Sequence, residues 1–567
     1  MKLESVTPES VALRPAETVM RLARLGSFHQ SRLSFMRVLL RRLKSESWRF
    51  ERRAFEINTQ GVGHAVYTMH GPARSYSLVA FAHDLPPEQR SDRVIATAWD
   101  ATFALFDGLP TEADIARLSL NVPLQEAGRV TSRELTVSRA NRSVRLFEHV
   151  VNCLSRGLQP MAADIEAVGY LMRTTAVYGS GKLGAADREG IADRPEFAAP
   201  FQAEMLTVFL IRAFALDLVE HLAHLRGGNK AVQIEPTLRR RFGIGNSTGL
   251  GMAPFLLNHP ILLNNWINAR EIALARVRSL TAISPAEAEA FRIMLRRGRS
   301  NVDDWHSEHP LQSGKIAVLK TDLDRLAAHI ETGVLEATQP WDTLYLWSEK
   351  ELSLDGQELL VALMMEPYGA LIDDLPAQMS ADEGAGFGID GAMTVATLRT
   401  VVESNYAWAL KIDWSTPESQ ARTWYVSAEK LEPRLGERHS EPLDGYEQPL
   451  APGRDAALLY EDLVNDPAEA RVSDFLLRHP EHRHILRRVQ ITARHAYAEI
   501  RDNTVSADVM PIDLLRAKLS FFGACHFDPR SDRWVRINMF RNAPFPHELA
   551  EMEFAGWTYP ALSEVPT

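Results

Sequence analysis

The sequence AVYTMHGPARSYSLVAF, residues 65–81, contains the clearest strand pattern in the chain. One apolar run, AVY, precedes the dipeptide Gly71-Pro72, and a second run, YSLVAF, follows it. Runs rich in β-branched and aromatic residues on either side of a glycine–proline turn are typical of antiparallel strands. We therefore expect an antiparallel sheet that begins near Trp48 and extends to about Ala98.

Helical periodicity surrounds this sheet. Apolar residues recur at spacings of three and four in residues 17–46, and the same period returns between Asp100 and Arg173 and over most of the middle of the chain. The strand pattern reappears at residues 404–431, in NYAWALKIDW and ARTWYVSAEKL. The expected fold class is therefore α+β and helix-rich.

Three weak internal matches occur in the same order and at nearly constant separation, which suggests a divergent duplication. Matching segments are paired as follows: Ala73–Tyr76 with Ala421–Trp424, Asp100–Asp107 with Asp455–Asp462, and Tyr178-Gly179 with Phe522-Gly523. The third match continues from Ala199–Phe201 to Ala543–Phe545. Two copies of an antiparallel-sheet-plus-helices module would explain why the matches occur in the same order. The alternative is that two unrelated sheet-plus-helix regions share generic amphipathic patterns.

The duplication leads to a division of the chain into five segments. We expect N-terminal helices in residues 1–47, the first repeat in 48–205, a helical middle segment with a glycine-rich loop in 206–403, the second repeat in 404–552, and a tail in 553–567. Ligand sites favour the interface between two such domains, where their surfaces form a cleft.

Composition excludes several classes of protein. The chain has 567 residues, of which 45% are hydrophobic and 24% charged, and its formal net charge is −10. This charge argues against a nucleic-acid partner, and no run of about 18 apolar residues suggests a membrane span. Only two cysteines occur, and the N-terminus lacks the pattern of a secretory signal. We therefore expect a soluble cytoplasmic protein with neither a nucleic-acid nor a membrane partner, and the sequence leaves homo-oligomer formation open.

Residues at which the two predicted copies differ are the candidates for chemistry. Under the third match, Ser180–Gly184 corresponds to Ala524–Asp528, so Lys182 in one copy corresponds to His526 in the other. An amine and an imidazole can both be tuned to act near neutral pH. We predict Lys182 and His526 as catalytic residues, with Tyr178 as a nearby hydroxyl donor. The structural alternative is a solvated lysine after a glycine turn and a histidine that only packs.

The segment GIGNSTGLG, residues 243–251, has four glycines in nine residues. Such a loop before a helix can direct backbone amides towards an anion. The predicted substrate-binding residues are therefore Gly245, Asn246, Ser247, Thr248 and Gly249, with Arg434 as a second clamp near the end of a predicted strand. The structural alternative for residues 243–251 is a tight turn with an ordinary helix cap. For Arg434 it is a solvated, charged strand end.

Known cofactor and metal motifs fit poorly. The segment Tyr178–Lys182 lacks both the first glycine and the final Ser or Thr of a phosphate-binding loop, and Gly386–Gly391 has acidic neighbours that would repel a dinucleotide. His479, His482 and His484 lie among arginines that disfavour a cation, and Asp217, His221 and His224 share a helical face without a readable fourth ligand. We therefore predict no cofactor and no metal ligand.

These residues favour an enzyme that acts on a small anionic metabolite by cofactor-independent acid–base or nucleophilic chemistry. Lyase, isomerase and hydrolase reactions fit this set, and the cleft between two related halves would hold the site. The alternative is a non-catalytic ligand-binding or assembly protein in which the glycine-rich segment is structural.

Overall fold

The structure is a computed structural model, and it describes these residues: 12–86, 98–123, 130–174, 191, 193–249, 260–303, 305, 307–379, 388–416, 424–426, 433–435, 448–450, 452–501, 511–523, 526–529 and 534–551. The predicted fold class is confirmed, since the protein is α+β and helix-rich.

Nine strands form one sheet in the order β1-β2-β3-β4-β5-β6-β7-β12-β11. All neighbours are antiparallel except β6 and β7, which run parallel. The strands are β1 (Arg49–Ile57), β2 (Gly63–His70), β3 (Ser75–Ala82), β4 (Ala101–Asp107), β5 (Glu134–Arg142), β6 (Tyr170–Thr174), β7 (Gly243–Gly249), β11 (His526–Pro529) and β12 (Trp534–Met539). A separate three-stranded sheet contains β8 (Trp424–Val426), β9 (Pro433–Leu435) and β10 (Gln448–Leu450).

The helices of the first half and the middle are α1 (Ala16–Val19), α2 (Leu22–Leu25), α3 (Phe35–Ser45), α4 (Glu112–Asn121), α5 (Phe147–Ser155), α6 (Ala162–Val168), α7 (Gln202–Gly227), α8 (Pro236–Arg239), α9 (Pro260–Arg278), α10 (Pro285–Asp303), α11 (Pro310–Ile330), α12 (Pro340–Glu351), α13 (Leu354–Met364) and α14 (Gly369–Ile372). Those that follow are α15 (Val395–Tyr406), α16 (Pro452–Asn465), α17 (Val472–Arg478), α18 (Arg483–Arg494) and α19 (Pro511–Phe522). In the part of the chain that the structure describes, no helix is both long enough and apolar enough to cross a bilayer.

Helix α7 covers one face of the large sheet. It has 26 residues, most of which are buried on every side, as expected for a helix with apolar residues all around it. Thr207 of α7 lies 2.7 Å from Thr136 of β5, Oγ1 to Oγ1. Arg212, also on α7, donates to the carbonyl oxygens of Phe242 at 2.6 Å and Ala543 at 2.8 Å. One buried guanidinium therefore joins the residue before β7 to the segment after β12.

A second hydrophobic core lies apart from the first. It is formed by α15, α16, α17 and α18, with Val395, Leu398, Val402 and Tyr406 as the buried residues of α15. Their spacing of three and four is the period of a helix. The predicted strand at NYAWALKIDW, residues 405–414, is therefore wrong, because α15 and a 3-10 helix at Ala409–Lys411 occupy half of this segment and none of it is strand.

The structure does not show the duplication. Asp100–Asp107 is mostly strand β4, whereas its predicted counterpart Asp455–Asp462 lies within helix α16. The large sheet also crosses the division into repeats, because β12 from 404–552 pairs with β7 of the middle segment, and β11 pairs in turn with β12. The predicted glycine-rich loop is likewise wrong, because residues 243–249 form strand β7.

Candidate functional site

Five residues occupy one continuous row across the large sheet, which we call the polar row: Asn141, Arg173, Gly245, Asn538 and His526. Each is the register partner of the next, on strands β5, β6, β7, β12 and β11. Neighbouring strands are about 4.8 Å apart, so Arg173 and Asn538 are separated by about 10 Å. The row brings together segments that are far apart in the sequence.

Asn141, Arg173 and Asn538 of the polar row belong to the face of the sheet opposite α7, which we call the outer face. On β5, Thr136 contacts α7, whereas Val137 packs in a small apolar cluster with Leu118 of α4 on the other side. Side chains alternate along a strand, so Asn141 points to the same side as Val137. Opposed residues on neighbouring strands share a face, which extends the outer face through Arg173 and Gly245 to Asn538.

Gly245 has no room for a side chain. A Cβ there would lie 2.6 Å from the ring of Tyr170, so this ring covers the strand at Gly245. The amide of Asn538 fits equally closely against Gly169, whose backbone has a φ of 80° at the end of α6. The glycines at 169 and 245 thus let Asn538 and Tyr170, respectively, approach the backbone closely.

Asn538 is only 1% exposed. Its Nδ2 donates a long hydrogen bond of 3.4 Å to the carbonyl oxygen of Val168. Its Oδ1 has no hydrogen-bond partner among the residues that the structure describes. A buried amide oxygen without a donor costs free energy, so this atom is an acceptor available to a bound molecule.

Arginines surround the polar row. Arg173 is 9% exposed, and Arg139, two residues before Asn141, stacks over the ring of Trp99 at 4.2 Å. Burial lowers the pKa of Arg139 to about 10. Burial also lowers the pKa of Arg541 to about 10, although Arg541 pairs with Glu166 of α6. Buried guanidinium groups of this kind favour an anion nearby.

The structure brings some of the predicted site residues together and leaves others apart. Gly245 and His526 lie two strands apart, on either side of Asn538. Asn246, Ser247, Thr248 and Gly249 continue β7, where they pair with Ile537, Arg536, Val535 and Trp534 of β12. Arg434 lies in β9 of the three-stranded sheet, opposite Tyr425, and not in the polar row. Tyr178 and Lys182 lie outside the described residues, in the segment that follows β6.

A second group of charges joins the N-terminal segment to the middle of the chain. We call it the buried ion cluster, and it consists of Arg14, Arg24, Arg270, Glu271 and Glu358. Glu358 accepts hydrogen bonds from Arg14 at 2.8 Å, Arg24 at 2.6 Å and Arg270 at 2.5 Å. Glu271 accepts two from Arg14, both at 2.7 Å. The side chains of both glutamates are 0% exposed.

Positive charge is in excess within this cluster. Burial alone would raise the pKa of Glu358, but attraction from Arg14, Arg270 and Arg24 outweighs it and holds the pKa well below its usual range. Three guanidinium groups face two carboxylates, so the cluster carries one uncompensated positive charge. The guanidinium groups donate to the two carboxylates and, from Arg24, to the amide oxygen of Gln357 at 3.1 Å. Because these bonds lie in a buried region, the cluster stabilises the fold and does not form an open site.

Asp355, His29 and Arg516 form a neighbouring buried group. Arg516 lies 2.5 Å from Asp355, and the His29 ring nitrogen lies 3.6 Å from the same carboxylate. Burial would raise the pKa of Asp355, but Arg516 and His29 lower it to about 2. Burial lowers the pKa of His29, which stacks on Trp305 at 5.7 Å between ring centroids. Burial thus disfavours the charged form of His29, while the hydrogen bond to Asp355 favours it.

Potential metal ligands cluster elsewhere. Asp462, His479, Glu481 and His482 place one ligand atom each within 4.8 Å of one another, at the edge of the second core. By contrast, two of the residues that share a helical face on α7 have protein partners: Asp217 accepts from Tyr67 and Arg52, and His221 contacts the carbonyl oxygen of Ile57.

Sequence reasoning missed Arg173, Asn538 and Tyr170. None of them belongs to a motif, and each became a candidate only when the sheet register joined β6, β7 and β12. Comparisons with models of known protein families, with curated proteins and with solved structures find no match. The function is therefore inferred from the site itself.

Proposed function

We propose that this protein is an enzyme that binds a small, hydroxylated anionic metabolite at the polar row and moves a proton on it with His526. The observation that carries the proposal is the register itself, which places Arg173, Asn538 and His526 in one row of the sheet.

Arg173 supplies the charge for anion binding. A guanidinium donates two parallel hydrogen bonds to a carboxylate or phosphate, and burial strengthens such bonds. Arg139 and Arg541, whose pKa values are lowered by burial, add positive potential on either side. Glu166 neutralises part of the charge of Arg541. This balance favours a small anion with one or two charges.

Asn538 supplies the selectivity. Its Oδ1 accepts no hydrogen bond from the described residues, so a substrate hydroxyl or amine can donate to it. A site built to accept such a hydrogen bond discriminates strongly against an analogue that lacks the donor, because the buried acceptor would then remain unpaired. We therefore expect hydroxycarboxylates or sugar phosphates to bind better than simple carboxylates.

His526 contributes the imidazole of the row, a side-chain type suited to proton transfer. It would remove or return a proton at a carbon or oxygen of the bound molecule, which suits a lyase, isomerase or hydrolase. Lys182 and Tyr178 follow β6 in the sequence and lie outside the described residues. They remain proposed partners of His526 in the proton transfer.

The test combines binding with proton exchange. Calorimetric titration with inorganic phosphate and with a panel of hydroxycarboxylates and sugar phosphates measures affinity for wild type, Arg173→Gln, Asn538→Leu and His526→Gln. Exchange of substrate C–H protons with deuterated water, followed by NMR, measures the proton step. We expect Arg173→Gln to weaken anion binding about tenfold to a hundredfold.

The control variant is Arg49→Gln, which removes an exposed arginine from β1 at the far edge of the same sheet. His526→Gln should keep binding and lose exchange. Lys182→Ala tests the second catalytic residue in the same way. Binding without exchange in the wild type would favour the non-catalytic ligand-binding alternative, and equal affinities for Arg173→Gln and Arg49→Gln would refute the site.

A further inference from the structure

We infer that Asp462, His479, Glu481 and His482 form a binding site for a divalent transition metal, with Zn²⁺ as the best match. This site lies in the second core, away from the polar row, and does not depend on the proposed function.

The four ligand atoms lie within 4.8 Å of one another, and three of their distances are close to the spacing of a tetrahedral site. His479 Nδ1 lies 3.7 Å from Asp462 Oδ2 and 3.6 Å from Glu481 Oε1. His482 Nε2 lies 2.7 Å from the same Asp462 oxygen. Tetrahedral Zn²⁺ with bonds of about 2.0–2.1 Å requires ligand atoms about 3.3 Å apart. Shifts well below 1 Å in these three distances would accommodate the ion.

The donor set selects the metal. Two imidazoles with two carboxylates suit Zn²⁺ and its neighbours in the first transition series, whereas Mg²⁺ and Ca²⁺ prefer oxygen ligands alone. With four protein ligands the site would be closed, as is typical of a structural metal. The ion would then tie helix α16, which carries Asp462, to the junction between α17 and α18.

Local structure fixes both imidazoles. Pro480 follows His479 and cannot continue helix α17, so the chain turns there through a 3-10 helix at Pro480–His482. The ring of Phe475 stacks on His479 at 4.8 Å and on His482 at 6.0 Å between centroids. The side chain of His482 is 9% exposed and that of His479 is 28% exposed. The rings are therefore held in position on a shared aromatic surface.

Nearby arginines do not occupy the ligand atoms. The sequence alone suggested that the positive charges around the histidines would repel a cation. In the structure, Arg478 pairs with Asp466, which neutralises it, and Arg483 is exposed to solvent on the first turn of α18. The two carboxylates of the cluster outweigh the exposed charge of Arg483.

Calorimetric titration of the full chain with Zn²⁺, and with Mg²⁺ as the comparison ion, tests the site. We expect one tight Zn²⁺ site that Mg²⁺ does not fill, together with a higher unfolding temperature for the α15–α18 region. Substituting Co²⁺ should give the intense visible absorption of a tetrahedral site.

Asp462→Asn and His479→Ala should each weaken Zn²⁺ binding by at least about 10- to 100-fold. Asp462 is 41% exposed, so Asp462→Asn is expected to fold, which circular dichroism would verify. His484→Ala is the matched control, because His484 is an exposed histidine two residues from His482 and outside the cluster. Equal Zn²⁺ affinity for Asp462→Asn, His479→Ala and His484→Ala would overturn the inference, as would a wild type that binds no Zn²⁺.

Discussion

Glu358 is the residue on which the buried ion cluster most depends, and its replacement by glutamine gives the sharpest prediction about stability. Glu358 accepts hydrogen bonds from Arg14, Arg24 and Arg270 at distances between 2.5 and 2.8 Å. Glutamine keeps the size of the side chain and one oxygen acceptor but removes the negative charge. Three buried guanidinium groups would then face one carboxylate, that of Glu271.

The expected cost follows from this imbalance. Breaking a buried ion pair by removing one partner costs about 3–5 kcal/mol, because the remaining charge stays buried without compensation. With a denaturant dependence of about 3 kcal/mol/M, the urea midpoint should fall by about 1–2 M. Fluorescence of Trp266 and Trp341, both fully buried in the large core, reports this transition.

Asp373→Asn provides the matched comparison. Asp373 also pairs with an arginine of the N-terminal segment, since it accepts from Arg32 at 2.7 Å, but its side chain is 38% exposed. Solvent access to Asp373 screens its pairs with Arg32 and Arg41, so this change should move the midpoint less than Glu358→Gln does. A loss below about 1 kcal/mol for Glu358→Gln, or equal losses for the two variants, would refute the reasoning.

Two further predictions concern stability at low pH and the packing around Gly245. The folded pKa of Asp355 is lowered from 3.8 to about 2, so its ionised form stabilises the folded protein by about 2 kcal/mol above pH 3.8. This stabilisation is lost as the pH falls towards 2. Asp355→Asn should abolish this part of the acid transition, which urea midpoints measured at a series of pH values would show. Gly245→Ala would place a Cβ 2.6 Å from the ring of Tyr170, so it should lower the free energy of unfolding by about 1–3 kcal/mol and weaken anion binding. The control is Gly314→Ala on helix α11, where a Cβ would meet open space, and it should cause no loss of stability.

The local features of the fold were predictable from the sequence. The strands on either side of Gly71-Pro72 exist as predicted, because alternation and turn residues act over a few positions. The pairing of β12 with β7 was not predictable, since the two strands are separated by hundreds of residues and nothing local encodes their register.

The glycine-rich segment shows how a local signal can mislead. Glycines usually mark turns, yet Gly243 and Gly245 lie within a strand. Packing explains why these positions are glycine. A Cβ at Gly243 would lie 2.6 Å from the carbonyl oxygen of Met539, and a Cβ at Gly245 would meet the ring of Tyr170. Such contacts come from segments distant in sequence, so composition alone cannot reveal them.

The candidate site was only partly accessible to sequence reasoning. His526 and Gly245 were predicted to lie near each other, and the sheet places them on either side of Asn538. Arg173 and Asn538 carry no motif, and their importance depends on a row that five strands create together. Asp462 was missed for the same reason, because helix α16 reaches the histidines only in the folded protein.

The measurement that tests the central claim most directly is a crystal structure of the protein soaked with phosphate or sulfate. We expect an anion on the outer face of the sheet, bonded to the guanidinium of Arg173 and within a few ångströms of Asn538. Anions bound only at other arginines, with none within hydrogen-bond distance of the Arg173 guanidinium, would contradict the proposal.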